Sequence, residues 1–245
     1  MTFAVENLTE RQIAKTIDHS LLRPELDDDF VVAGCRLAAE YDVASVCVRP
    51  VDVRRAVAIL AATDVKVGSV IGFPHGSSTT ATKVHEAHGA LDDGAVELDM
   101  VIDIGALKSG RDRDVQADIA AVVEAAHAGG AIVKVIFENH HLTDDEIVRA
   151  CHLTEAAGAE FVKTSTGFAA TGATHEDLAL MRRSVSDHIQ VKAAGGVRTL
   201  DALIDVMNLG VTRVGATATA AIIDDFRARK AGAAPVAATA GESGY

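Results

Sequence analysis

Apolar positions along this chain fall into short, dense runs separated by longer stretches with helical spacing. The runs at 16–18, 44–48, 66–71, 95–102, 132–137, 161–164, 190–194 and 213–215 are rich in β-branched residues. They carry apolar side chains without clean alternation, as strands buried on both faces do. Between them lie Ala-rich stretches at 27–41, 52–62, 80–92, 112–127, 144–157, 175–185, 200–208 and 218–229. Their apolar spacing and acidic first turns predict helices, and Thr143-Asp144-Asp145-Glu146 reads as an N-terminal capping box.

Strict alternation of strand and helix predicts a parallel sheet. Eight such units in 245 residues predict a single-domain α/β protein, a closed parallel (β/α)8 barrel of the TIM type over residues 1–230. Residues 231–245, small and polar, are expected to form a flexible C-terminal tail. An open doubly wound sheet is the competing fold. It would place a Gly-x-Gly-x-x-Gly turn after its first strand, where this chain has His19-Ser20-Leu21-Leu22.

Composition narrows the function classes. With 49% apolar residues the chain has ample material for one large core. Its 23 Lys and Arg against 35 Asp and Glu give a net charge of −12, which argues against nucleic acid and anionic membranes as partners. No apolar run approaches the ~20 residues that span a bilayer, and the start, MTFAVENLTERQ, is expected to carry no secretory signal. Cys35, Cys47 and Cys151, odd in number and scattered, fit a reducing cytoplasm.

The candidate chemistry lies in lysines set within apolar strands. Lys134, Lys163 and Lys192 occupy the centres of Val-Lys-Val, Val-Lys-Thr and Val-Lys-Ala runs on three successive strands. A lysine is rarely buried, because removing an ammonium from water is costly. Neighbouring strands are ~5 Å apart, so strand lysines can gather at one barrel mouth. There burial and like charge both favour a neutral amine, which adds to aldehydes and ketones as a Schiff base. Which lysine is the nucleophile stays open at this point. Asp99 is a candidate for proton shuttling or for neutralising a lysine. For Asp18 an ion pair is the favoured reading, and Glu97 is expected to face away from the interior. Gly195-Gly196 after the seventh strand and Gly215 after the eighth stand where barrels of this class bind phosphate. Thr217 and the Thr164-Ser165-Thr166-Gly167 run offer further donors. His85, His88, His140 and His141 form no recognisable metal-ligand pattern and read as surface histidines. Cys47 reads as a small core residue.

The run Phe161-Val162-Lys163-Thr164-Ser165-Thr166-Gly167, together with Val191-Lys192-Ala193-Ala194-Gly195-Gly196-Val197-Arg198-Thr199, closely resembles the deoxyribose-phosphate aldolase family, class I aldolases. The resemblance runs from Ile17-Asp18-His19-Ser20 to Arg213-Val214-Gly215-Ala216-Thr217 and includes Gly72-Phe73-Pro74-His75-Gly76. It implies reversible cleavage of 2-deoxy-D-ribose 5-phosphate to D-glyceraldehyde 3-phosphate and acetaldehyde, with no cofactor and no metal. By this resemblance Lys163 is the Schiff-base lysine, Lys192 the cation that tunes it, and Asp99 and Lys134 members of the proton relay. Asp18, Gly167, Gly195, Gly196, Gly215 and Thr217 are carried over as substrate- and phosphate-binding residues. Tyr245 matches a C-terminal tyrosine that assists proton transfer in some members. A homo-oligomer, a dimer or higher, is the implied assembly. Three departures from the pattern stand out, the least of them Ala194 next to the glycine pair. Phe168 stands where some members have lysine, and Gly215-Ala216-Thr217-Ala218 stands where Gly-x-Ser-Ser is common. Both remove polar groups from the phosphate region. The competing functions are another class I phosphosugar aldolase or transaldolase, and a non-catalytic sugar-phosphate-binding barrel.

Overall fold

A computed structural model describes residues 2–234; Tyr245 and the rest of the expected tail from 235 onward lie outside the described residues. Eight parallel strands close a barrel in sequence order, with β8 returning to pair with β1. They are β1 (Ile17–Leu21), β2 (Ser45–Val48), β3 (Lys66–Ile71), β4 (Glu97–Val101), β5 (Ile132–Ile136), β6 (Phe161–Lys163), β7 (Gln190–Ala194) and β8 (Val211–Ala216). Every predicted strand is present, with β1 running three residues further than expected and β8 beginning two residues earlier. The helices are α1 (Glu10–Ala14), α2 (Asp28–Glu40), α3 (Val53–Leu60), α4 (Thr80–Asp92), α5 (Ile104–Lys108), α6 (Asp112–Ala128), α7 (Asp144–Ala156), α8 (His175–Arg183), α9 (Leu200–Asn208) and α10 (Thr219–Lys230).

Local signals explain most helix starts. At α7 the Glu146 amide donates to Thr143 Oγ1 and the Thr143 amide to Glu146 Oε2 at 2.9 Å, the expected reciprocal box. The unpredicted α1 and α5 are five residues each, too short for a periodic signal. Both are nevertheless capped by side chains, α1 by Thr9 and α5 by Asp103.

The strands sort their side chains by parity. Val46, Leu98, Val133, Val162, Val191 and Val214 point outward into the continuous apolar core shared with the helices. The alternate positions, Asp18, Ser45, Glu97, Asp99, Lys134, Lys163, Lys192 and Arg213, turn into the barrel. The barrel therefore encloses a polar interior inside an apolar sleeve. Rigid strand ends on such a frame hold side chains to the small tolerances that catalysis needs.

His19 is the outward exception on β1. It is buried, and its Nδ1 lies 2.9 Å from Thr219 Oγ1 at the start of α10. Burial lowers its pKa from 6.5 to about 4. The unfolded chain therefore takes up this proton before the folded one does. The contribution to stability is full above about pH 6.5 and is lost progressively down to about pH 4. It amounts to about 3 kcal/mol if no other group compensates. Thermal unfolding should accordingly weaken between pH 6.5 and 4. His19→Gln should flatten that part of the curve and leave the steeper loss below pH 4 untouched. An unchanged slope in the variant would assign the acid sensitivity to other groups.

Candidate active site

Four of the sequence-predicted residues meet, three lysines on the carboxylate of Asp99. Lys163 Nζ and Lys192 Nζ each donate to Asp99 Oδ2 at 2.7 Å, and Lys134 Nζ donates to Asp99 Oδ1 at 2.9 Å. Strand register brings them together: Asp99 pairs with Lys134, and Lys163 with Lys192. All three lysines are only 1% exposed. They are surrounded by carboxylates as well as by each other. Lys134 also lies 2.6 Å from Glu97 and 3.7 Å from Asp18, and Lys192 lies 2.5 Å from Asp18. Asp18 sits in this network and is absent from the lining of the anion cavity described below.

Two expectations are corrected here. Glu97 faces inward, bonded to Lys134 and to Arg213. Residues two apart on a strand share a face, so Glu97 follows Asp99. Gly68, its register partner, leaves it room: a Cβ there would stand 3.2 Å from the Glu97 Cβ. The second correction concerns charge. Burial alone would push the Lys134 and Lys192 ammonium groups down. The neighbouring carboxylates outweigh it, Asp99 and Glu97 for Lys134 and Asp18 and Asp99 for Lys192, and hold both above the usual lysine range. Burial would likewise raise the Asp99 carboxyl, but the three lysines hold it well below the usual carboxylate range.

Next to this network the loops after β6, β7 and β8 line a cavity of about 250 Å³. Gly167, Gly195, Gly196, Gly215 and Thr217, the five residues expected to hold phosphate, all lie on it, with Gly172 and Arg198. Gly195 and Gly196 have φ of +77° and +97°, which turns their backbone in a way a side chain resists. Gly172 packs flat on this turn, since a Cβ there would stand 2.5 Å from the Gly195 carbonyl. Ala218, next after the cavity-lining Thr217, gives α10 no side-chain cap, so no side chain satisfies its first amides. Arg198 was missed from sequence. It supplies a cation to the cavity where Phe168 supplies none.

Phe168 is 43% exposed and meets Phe73 edge to face, with ring centroids 5.3 Å apart. With Leu22, Val70 and Pro74 these rings line a neighbouring cavity of about 380 Å³. The mouth is thus donor-rich on the β6–β8 side, while toward β3 these apolar side chains are joined by Arg49 and Glu86. Cys47 lies buried with Leu22 and Val70, and burial pushes its thiol up to about 11. Glu138, also missed, is buried with a φ of +58° and accepts from the Thr166 hydroxyl, tying the β5 loop to the β6 loop. His140 bonds Thr171 at 2.8 Å. Among the described residues no three His, Cys, Asp or Glu side chains are grouped to hold a metal ion, and no helix is long and apolar enough to cross a membrane.

A parallel barrel with buried lysines on a shared carboxylate, opening beside an amide-lined anion pocket, has the makings of a carbonyl-active lyase. The sequence profile of the DeoC/LacD family aldolases matches residues 13–233, and the chain belongs to that family. It is an aldolase, a carbon–carbon lyase. It is 49% identical over 215 residues to the deoxyribose-phosphate aldolase of Geobacillus sp. (strain WCH70), covering 88% of this chain and 96% of the relative. It is 52% identical over 211 residues to that of Bacillus cereus (strain ATCC 10987 / NRS 248), covering 86% and 94%. A solved structure described as a unique tetrameric structure of deoxyribose phosphate aldolase from Aeropyrum pernix superposes with a TM-score of 0.85. It is 28% identical, with 92% of this chain and 95% of that chain covered.

Proposed function

We propose that the protein reversibly cleaves 2-deoxy-D-ribose 5-phosphate into D-glyceraldehyde 3-phosphate and acetaldehyde through a Schiff base on Lys163. The observation that carries this reading is the shared contact of Lys163 and Lys192 on one oxygen of Asp99. An amine must be neutral to attack a carbonyl, so the nucleophile is the lysine that loses least ion pairing with its proton. Among the described residues Lys134 has three carboxylates within 4 Å and Lys192 two, whereas Lys163 has Asp99 alone. This supports Lys163 independently of the family resemblance.

In this reading the Lys163 amine adds to C1 of the open-chain sugar, and loss of water, with protons passing through Asp99, gives the iminium. Removal of the C3 hydroxyl proton breaks the C2–C3 bond. Its electrons enter the iminium to form an enamine, and glyceraldehyde 3-phosphate leaves. Protonation of the enamine methylene and hydrolysis then release acetaldehyde and the free lysine. Lys192 and Lys134 keep the Asp99 carboxylate ionised and placed. The glycine-lined cavity with Thr217 and Arg198 holds the phosphate. Tyr245 as a late proton donor falls outside the described residues and stands as a separate proposal. A homo-oligomer is proposed from the tetrameric Aeropyrum relative, and three free buried cysteines support a reducing cytoplasmic setting.

The test is retro-aldol assay of 2-deoxy-D-ribose 5-phosphate, with acetaldehyde and glyceraldehyde 3-phosphate measured in equal amounts. Unphosphorylated 2-deoxyribose should show KM raised by about 10-fold or more, because each lost charge-assisted contact is worth ~1.5–3 kcal/mol. Cleavage of ketose phosphates with a three-carbon donor, but not of deoxyribose phosphate, would favour a transaldolase-type reaction instead.

A further inference from the structure

Arg213 takes no direct part in imine chemistry, and it lines none of the cavities at the mouth described above. It nevertheless belongs to the same ion cluster. Its Nε lies 2.5 Å from Asp18 Oδ1, and its Nη2 lies 2.8 Å from Glu97 Oε2 and 2.9 Å from Ser45 Oγ. It pairs in register with Lys192 on the adjacent strand, and its guanidinium stands 6.0 Å from the Phe161 ring. Charged groups reach the cluster from β1 (Asp18), β4 (Glu97, Asp99), β5 (Lys134), β6 (Lys163), β7 (Lys192) and β8 (Arg213). β2 adds Ser45 and the un-ionised Cys47 thiol, and β3 turns Gly68 and Val70 inward.

Four cations therefore face three carboxylates. A buried cluster with one surplus positive charge is driven toward neutrality by the cost of holding net charge away from water. A guanidinium does not give up its proton in a protein, so the surplus is relieved only at a lysine. We infer that Arg213 is the positioning residue that sets this surplus: by fixing one permanent positive charge on Asp18 and Glu97, it makes one lysine proton dispensable and so keeps Lys163 available as a nucleophile. Without it, three lysines would match three carboxylates, and every amine would keep its proton. The inference rests on the imine reading above.

The test compares the pH dependence of imine trapping at Lys163, by borohydride reduction with acetaldehyde, in four proteins. Arg213→Met removes the surplus and should move the half-maximal pH upward by about one unit. Glu97→Gln adds a second surplus charge and should move it downward. The double variant restores a surplus of one and should return close to the parent. Arg213→Lys replaces the permanent charge by one that can itself lose a proton, so its profile should fall between those of the parent and Arg213→Met. A purely structural ion pair would change melting temperature and yield but leave the four profiles superimposed, which would overturn the inference. If Arg213→Met does not fold, the direction of the Glu97→Gln shift decides: a downward shift supports the inference, and no shift or an upward one overturns it. Absence of trapping in the parent would overturn the imine reading itself. Trapping at Lys163 with unmoved profiles would overturn this inference alone.

Discussion

Lys163→Met is expected to lose turnover by a factor on the order of 10⁴ or more, while the protein stays folded and melts within a few degrees of the parent. The loss follows because the proposed mechanism forms its covalent imine on Lys163. Lys134 and Lys192 are near enough in space but tied to two or three carboxylates each. The retained stability follows from the charge count. Removing one lysine leaves Lys134, Lys192 and Arg213 to balance Asp18, Glu97 and Asp99, so no carboxylate is stranded. Methionine also fills most of the space of the lysine stem and so avoids a large cavity. Mass spectrometry after borohydride reduction with acetaldehyde should find one two-carbon adduct on Lys163 in the parent and none in the variant. An adduct on Lys134 or Lys192 in the parent would reassign the nucleophile.

The eight strands were legible because each combines β-branched residues with a bounded length, and the intervening helices because most exceed two turns. What was read as lysine intruding on apolar strands is, in the folded barrel, ordinary strand alternation with a charged inward face. Val133-Lys134-Val135 and Val191-Lys192-Ala193 place the valines in the sleeve and the lysines inside. The same parity, applied consistently, puts Glu97 with Asp99 and Arg213 with Gly215. The first was misassigned, and the second carried no role in the sequence reading. Charge cancellation was legible only in part, as an ion pair at Asp18 and as one of two readings of Asp99, with Glu97 and Arg213 left out of it. Sequence shows that lysines converge, but only the register between strands shows that Asp18, Glu97 and Asp99 interleave with them. Arg198 escaped notice because an arginine after a glycine turn is most often solvent-facing; its place directly behind Gly195-Gly196 on the seventh loop was the available signal. α1 and α5 were hidden by length, although Thr9 with Gln12 already spelled a capping box.

Asp99→Asn is expected to separate imine formation from the proton transfers that follow it. Asp99 is the only carboxylate among the described residues within ion-pair distance of Lys163, and it also contacts Lys192 and Lys134. The amide keeps the shape and can still accept one hydrogen bond from a lysine, but it cannot carry a proton. Removing one negative charge leaves the interior with a larger positive surplus, so an amine is released more readily; this offsets the loss of Asp99 as proton carrier in dehydration, and trapping of acetaldehyde on Lys163 should persist at neutral pH at a reduced rate. Exchange of the acetaldehyde methyl hydrogens with heavy water needs the enamine to form and be reprotonated. It should fall by roughly 10²–10⁴, the usual worth of a positioned general acid–base group. Cleavage of the sugar phosphate should fall with it. Stability should also respond. The parent carboxylate, held well below its usual range by the lysines, contributes stability above about pH 4 that is lost as pH falls through its folded value. The variant should lack that contribution, melting lower than the parent at neutral pH, with the difference closing in acid. Deuterium incorporation at the parent rate would show that a group other than Asp99, reached by water or by a part of the chain beyond residue 234, carries the proton to the enamine.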